Sequence, residues 1–255
     1  MKFADKYTKV FQYLLPSPFT IAVVLTFITF LVAFIFTKDV NTASADYVFE
    51  LIEFWENGLW TNGLMVFAMQ MMLMLVLGHI LALTPAVEKG ISFITQFANN
   101  TANAALLVSF FTILVAFFNW GLGLIFGAIF ARKIAEHALR NNIKINYPLI
   151  GAAGYVGLMV WHGGISGSSL TKVAEPGHLA DMMEGILSAD RIQALPNQID
   201  FSQTVFSSMN IFSAALILLI LPMVFFLIGK KSSNDQVPQL NIKMNETYRE
   251  TKNYE

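Results

Sequence analysis

The chain has 255 residues, 55% of them apolar and only 13% charged, with a mean hydropathy of +0.57 and a net charge of −1. A typical soluble domain carries about 25% charged residues, so this composition excludes an ordinary water-soluble domain and indicates an integral membrane protein. The absence of cysteine excludes disulfides, thiolate metal sites and a cysteine nucleophile.

Five stretches contain no Asp, Glu, Lys or Arg: 10–37, 57–87, 90–131, 145–171 and 201–229. Each is longer than the roughly 20 residues a spanning helix needs. The first holds an apolar run from Phe19 to Phe36, too long for the core of a cleaved signal and closed by no A-x-A-like site, so it reads as a retained span. The acidic segment 38–56 follows, and then a second span predicted over about 61–83, with Trp55 and Trp60 as its interfacial aromatic belt. Its Met-rich run "MVFAMQMMLMLV" reads as lipid-facing or packing surface, with Gln70 as a helix–helix hydrogen bond. His79 is an intramembrane ionisable group, open to a functional or a structural reading.

The third stretch is interrupted. Its apolar part runs from Ala104 to Phe118, breaks at Asn119-Trp120-Gly121 and resumes from Leu122 to Ala131. Neither arm reaches about 20 residues, so the pattern predicts a re-entrant hairpin with a polar, glycine-rich tip. Non-helical backbone at bilayer depth is tolerated only inside protein or along a water-filled cavity. The alternative is one crossing over 104–131, with Gly123 and Gly127 as a G-x-x-x-G packing pair.

The fourth stretch opens with Tyr147-Pro148, stays apolar from Leu149 to Val160, and then becomes "WHGGISGSSLT". That run is too polar and flexible to complete an ordinary span, so a discontinuous helix is expected: helix, unwound segment, short second part. The last stretch is led by Ser207, Ser208 and Asn210, which either line a cavity or cap the final span.

Charge sets the expected topology. Lys2, Lys6 and Lys9, then Arg132, Lys133, Arg140 and Lys144, then Lys230 and Lys231 mark cytoplasmic segments, whereas the acidic 38–56 and 172–200 lie outside. Both termini are then cytoplasmic. Residues 90–131 must leave the cytoplasm and return, which favours the hairpin. The expected fold is therefore an all-α membrane protein with about four spanning helices, a re-entrant hairpin and a discontinuous helix, like one repeat of a secondary transporter.

Two interrupted segments point to a binding site. Broken helices present half-helix N-termini that attract anions, and unwound carbonyls that can hold a cation. Glycine lets the backbone approach a ligand closely. The expected substrate-binding set is Asn119, Trp120, Gly121, Gly123, Trp161, His162, Gly163, Gly164, Ser166, Gly167, Ser168 and Asn210. Dipoles, amides and hydroxyls without a cationic side chain suit a small monoanion, with Trp120 and Trp161 walling its apolar side. Packing by small residues is the competing reading of the same glycines and serines. An enzyme would need a convergent nucleophile and base or a metal cluster; four histidines and spans free of charge do not supply one, so no catalysis is expected.

The segments "NWGLGLIFGAIFAR", "YPLIGAAGYVGLMVWHGGISGSSL" and "FSSMNIF", with the opening "LLPSPFTIAVVLTFITFLVAF", resemble bacterial short-chain fatty acid transporters over about residues 5–230. The resemblance implies an inner-membrane protein that carries acetoacetate- or butyrate-like acids, coupled to a proton or sodium gradient and without a cofactor. Members of that family are roughly twice this length, with a second membrane half. Residues 1–231 therefore resemble an N-terminal membrane half, and the polar 232–255 resembles the family's central cytoplasmic linker. Expected partners are a short-chain carboxylate, the lipid bilayer, and a second half or a second copy of the chain; no nucleic acid is expected.

Overall fold

The computed structural model describes residues 7, 10–11, 15–39, 43–82, 84–166, 168–232 and 235–238. Lys2, Lys6, Lys9, Gly167 and the tail beyond 238, all named above, lie outside the described residues. Every regular element among the described residues is helical, and the chain divides into two units, Met1–Gln70 and Met71–Glu255. Among the described residues, four helices are long and apolar enough to cross a membrane: Pro18–Phe36, Asn62–Leu81, Thr101–Phe118 and Ser208–Lys230. The chain is an all-α integral membrane protein.

In the first unit, α1 (Pro18–Phe36) begins at Ser17, whose hydroxyl accepts from Thr20 N at 3.2 Å, with proline in the first turn. Residues 38–56, expected as a charged connection, instead carry a helix, α2 (Ser44–Leu59). The helix forms because Asp46, Glu50 and Glu53 fall on one side, while Tyr47, Leu51 and Trp55 fall on the other. That apolar side folds back on α1. Tyr47 is buried and its hydroxyl lies 2.6 Å from Thr37 Oγ1. Phe34 packs on Tyr47 and Phe30 on Trp55, at ring separations of 6.1 and 6.3 Å. α3 (Asn62–Ala82), whose residues from Met71 onward belong to the second unit, begins close to where hydropathy places it. His79 falls in its last turn.

The second unit is organised around α5 (Thr101–Phe118), half of whose residues are buried. Before it lies α4 (Pro85–Thr95), a helix that the spanning pattern does not predict. After it, the backbone is extended at Asn119 (φ −153°, ψ 119°), and α6 (Trp120–Arg140) returns along α5. The stretch 104–131 is therefore not one continuous helix: it breaks at Asn119 and its two parts pack on each other, as the hairpin reading expects. The arms are longer than the apolar runs suggested, 18 and 21 residues. The second arm runs past Ala131 because Ile134, Ala135 and Ala138 continue its buried stripe among the charges.

Small residues let these backbones approach. An added Cβ at Gly123 would stand 2.6 Å from Ala116 Cα, so the arms touch at the helix surface itself. Gly127 meets the carbonyl of Gly154, and a Cβ on Gly154 would stand 2.7 Å from Gly127 O. This contact explains a second departure from expectation. The helix predicted over 149–160 stops early, as α7 (Tyr147–Ala153), and continues in 3₁₀ turns over Val156–Met159 and Trp161–Gly163. Gly154 and Gly157 hold the chain against α6 and α5 more closely than a regular helix with side chains permits. Short helices α8 (Ser169–Lys172), α9 (His178–Met183) and α10 (Ala189–Gln193) form the following loop.

The final helix, α11 (Ser208–Lys230), lies antiparallel to α5. Gly229 meets Ala102 near one end, and Ile217, Leu218 and Leu221 pack on the cluster of Ile113, Ala116 and Val160 further along. From Ala102 to Asn119 is 17 residues, about 25 Å at 1.5 Å per residue. The hairpin is thus nearly as tall as the 30 Å hydrocarbon layer of about that thickness, and its tip lies near the Ser208 end of α11. At the opposite end, the base, Thr101 Oγ1 accepts from Asn146 N at 2.9 Å. Asn146 Nδ2 donates to Ser232 Oγ at 3.0 Å, and Ile145 and Gln236 exchange backbone hydrogen bonds of 2.9 and 3.1 Å.

Candidate functional site

The hairpin tip is built on Asn119. Its Oδ1 accepts from Leu122 N at 2.9 Å and so caps α6, while its Nδ2 donates to Ser166 Oγ at 3.1 Å. One amide therefore closes a helix and reaches across to the unwound segment. Directly beside it, Ile165 N donates to Phe117 O at 2.8 Å, satisfying one of the free carbonyls at the end of α5. An added Cβ at Gly164 would stand 2.9 Å from that same Phe117 carbonyl, so the segment lies against the backbone of α5.

The final helix makes the third side. Ser207 Oγ accepts from Asn210 N at 3.3 Å, capping α11, and Asn210 Nδ2 donates to Gly163 O at 2.8 Å and to Val205 O at 2.7 Å. Gly163 has no room for a side chain because the Asn210 amide occupies it. Trp120 and Trp161 pack with centroids 6.4 Å apart and planes inclined by 59°. The structure thus brings Asn119, Trp120, Trp161, Gly163, Gly164, Ser166 and Asn210 into one cluster.

The remaining expected residues are placed differently. Gly121 is buried against Met74 of α3, and Gly123 against Ala116 within the hairpin. Ser168 is fully buried; its hydroxyl donates to Gly164 O at 2.7 Å and accepts from Thr171 N at 3.2 Å, folding the segment onto itself. His162 is exposed, and its carbonyl accepts from Ser169 Oγ at 3.4 Å. Gly167 lies outside the described residues.

Two N-termini of long helices, α6 and α11, therefore converge on one unwound segment. Their positive dipole ends and unpaired N–H groups make the cluster attractive to an anion. Its side-chain polar groups are amides and hydroxyls, with His162 as the ionisable neighbour. Among the described residues, no three His, Asp or Glu side chains stand close enough to hold a metal ion, so a cation here would meet main-chain, amide and hydroxyl oxygens. One polar group that sequence reasoning passed over is Thr112, buried in α5 beside Gly127 and Gly157. Its Oγ1 has no hydrogen-bond partner among the described residues. Nothing in an apolar helical run marks such a threonine, because its environment comes from segments 15 and 45 residues away.

A family model described as "Short chain fatty acid transporter" matches residues 1–254. A Haemophilus influenzae protein named "Putative short-chain fatty acid transporter" is 34% identical over 219 residues, covering 86% of this chain and 45% of the relative. An Escherichia coli K12 protein of the same name is 30% identical over 220 residues, covering 86% of this chain and 44% of the relative. The chain thus matches somewhat less than half the length of these relatives. No solved structure gives a significant match.

Proposed function

Because the chain belongs to the short-chain fatty acid transporter family, we propose that its hairpin tip, unwound segment and final helix form one side of a binding site for a small monocarboxylate such as butyrate or acetoacetate. The observation that carries this reading is the convergence of the α6 and α11 N-termini on Ser166 and Gly163 through Asn119 and Asn210. Amide and hydroxyl donors beside two positive helix ends suit a single carboxylate. The apolar tail of the acid rests against Trp120 and Trp161. Without a cationic side chain in the cluster, a substrate carrying several charges is disfavoured.

In this reading transport is secondary, driven by H+ or Na+, in the bacterial inner membrane with both termini cytoplasmic. A sodium ion is held by carbonyl and hydroxyl oxygens of the unwound segment; a proton is carried by His162. The site is completed by a second membrane half or a second copy of the chain, as transporter sites commonly form between repeats.

The test is uptake of labelled butyrate into cells that lack their own carriers. The chain is expressed alone and together with the unmatched part of a full-length relative. Uptake that collapses with a protonophore or on sodium replacement, and is lost in Ser166→Ala, supports the proposal. Butyrate flux indifferent to both gradients assigns a channel component instead. No uptake in either pairing, with the protein folded in the membrane, removes the carboxylate reading.

A further inference from the structure

We infer that α4 and the turn after it form an interfacial segment that inserts Phe93 and Phe97 into the boundary between lipid headgroups and acyl chains, and so anchors the base of the hairpin at a fixed depth. Phe93 and Phe97 are 62% and 53% exposed, and their rings pack edge to face at 5.6 Å. Two large aromatics stacked on an outward surface need an apolar surrounding.

The position of α4 identifies that surrounding. It lies between two membrane-spanning helices, α3 before it and α5 after it, with few residues on either side. Its inner face packs on the base of the hairpin: Ile91, with Ala98 just beyond the helix, is buried in the cluster that holds Ile134 and Ala138. Lys133 Nζ lies 3.4 Å from Glu88 Oε1, and Lys133 is 14 residues beyond Asn119, about 21 Å below the tip. α4 therefore sits at the membrane surface at the end opposite the candidate site.

The helical wheel then orients it. At about 100° per residue, Val87, Ile91 and Ile94 form one arc facing α6. Phe93 and the open edge of Gly90 adjoin that arc on one side, and Phe97, in the turn after the helix, is held beside Phe93 by ring contact. On the other side of the arc Glu88 borders α6, where it meets Lys133; Ser92 and Gln96 continue the polar flank, which closes at Lys89 beside Phe93. Apolar surface thus runs without a gap from the hairpin contact to the phenylalanines, with the polar flank turned away. This is the cross-section of a helix lying in the interface plane, its apolar side down and its polar side in water. Lipid fits the exposed edge better than a soluble partner, because that edge continues the surface by which the helix joins the membrane-embedded core.

The chain has no cysteine, so single-cysteine spin labels report one position each. Phe93→Cys, Phe97→Cys, Ser92→Cys and Gln96→Cys are reconstituted in phosphatidylethanolamine–phosphatidylglycerol vesicles. Gly90→Cys is a further probe on the phenylalanine edge that removes no aromatic ring, and its Cβ would meet nothing within 4 Å. The expected result is that labels at 90, 93 and 97 collide more with oxygen than with a water-soluble nickel chelate, and that the ratio inverts at 92 and 96. Nickel accessibility at 93 and 97 equal to that at 92 would place the edge in water and overturn the inference. Exclusion of both reagents at 93 and 97 would show protein over the edge and overturn it equally.

Discussion

Asn119 joins two helices: its backbone N–H donates to Val115 O at the end of α5, and its side chain caps α6 and reaches Ser166. Asn119→Ala removes the cap on α6 and the bond to Ser166 together, and cap loss costs about 0.5–2 kcal/mol. Ser166→Ala removes only the second bond and leaves the cap. The expected outcome is a clear fall in the melting temperature of the purified protein for Asn119→Ala, a smaller one for Ser166→Ala, and loss of butyrate uptake for both. Thr112 offers a change of opposite sign. Its buried hydroxyl has no partner among the described residues, and leaving such a group unsatisfied costs about 1–3 kcal/mol. Thr112→Val keeps the shape, so it is expected to raise thermal stability; a fall would mean that the hydroxyl holds a ligand or water essential to the packing. Glycines divide in the same way. Gly127→Ala drives a methyl into the Gly154 carbonyl, backbone that cannot swing aside, and is expected to cost about 1–3 kcal/mol or more. Gly151→Ala meets nothing within 4 Å and is expected to be neutral or slightly stabilising in the same melt, since alanine favours helix over glycine by about 1 kcal/mol.

At the scale of elements, α7 owes its shortness to its neighbours rather than to its own sequence. Leu149 to Val160 is an apolar run that hydropathy alone extends through twelve positions, yet the helix ends at Ala153. The contact of Gly154 with α6 and of Gly157 with Ala116 sets that end. The start of α7 is tied as firmly. Asn146 caps it by accepting from Leu149 N at 3.2 Å, and donates to Ser232 Oγ. Asn146→Ala removes both links, and we expect faster amide hydrogen exchange across 147–153 with little change in the hairpin arms. Uniform exchange throughout would mean that α7 opens only with the whole unit. The unexpected helices α2 and α4 share one cause. Both are short and amphipathic, and they lie among charges that a window sized for spanning helices averages away. The three-to-four-residue period of their apolar positions is nevertheless present in the sequence, and the heptad-like spacing of Asp46, Glu50 and Glu53 was the available sign.

For the second unit as a whole, the antiparallel α5–α11 pair and the returning α6 place Arg140, Asn146 and Lys231 at one end, with Asn119 and Asn210 at the other. Cysteine introduced at Arg140 and at Lys231 is expected to react with a membrane-impermeant maleimide from the same side, and cysteine at Asp190 from the opposite side. Labelling of 140 and 231 from opposite sides would sink the hairpin and restore a single crossing. This vertical order also moves the candidate site. The interrupted segments suggested a position deep in the bilayer, but the tip stands about 25 Å from the base, close to the start of α11.

Spanning helices, their approximate limits and the two breaks were readable from the residues because hydropathy is additive. Each apolar side chain contributes to burial in lipid whatever its neighbours, and about 20 in succession outweigh any local preference. Asn119 and the Gly/Ser run at 161–169 stood out for the same reason, as polar groups where lipid does not tolerate them. Which of those polar groups meet was not readable, because that depends on the approach of segments far apart in the chain. Asn119 finds Ser166 across 47 residues, Asn210 finds Gly163 across another 47, and Ser168 turns inward to its own segment. A glycine in a membrane helix serves close packing or ligand approach equally well as a letter in the sequence. The carbonyl of Gly154 lying over Gly127 is what assigns that one to packing.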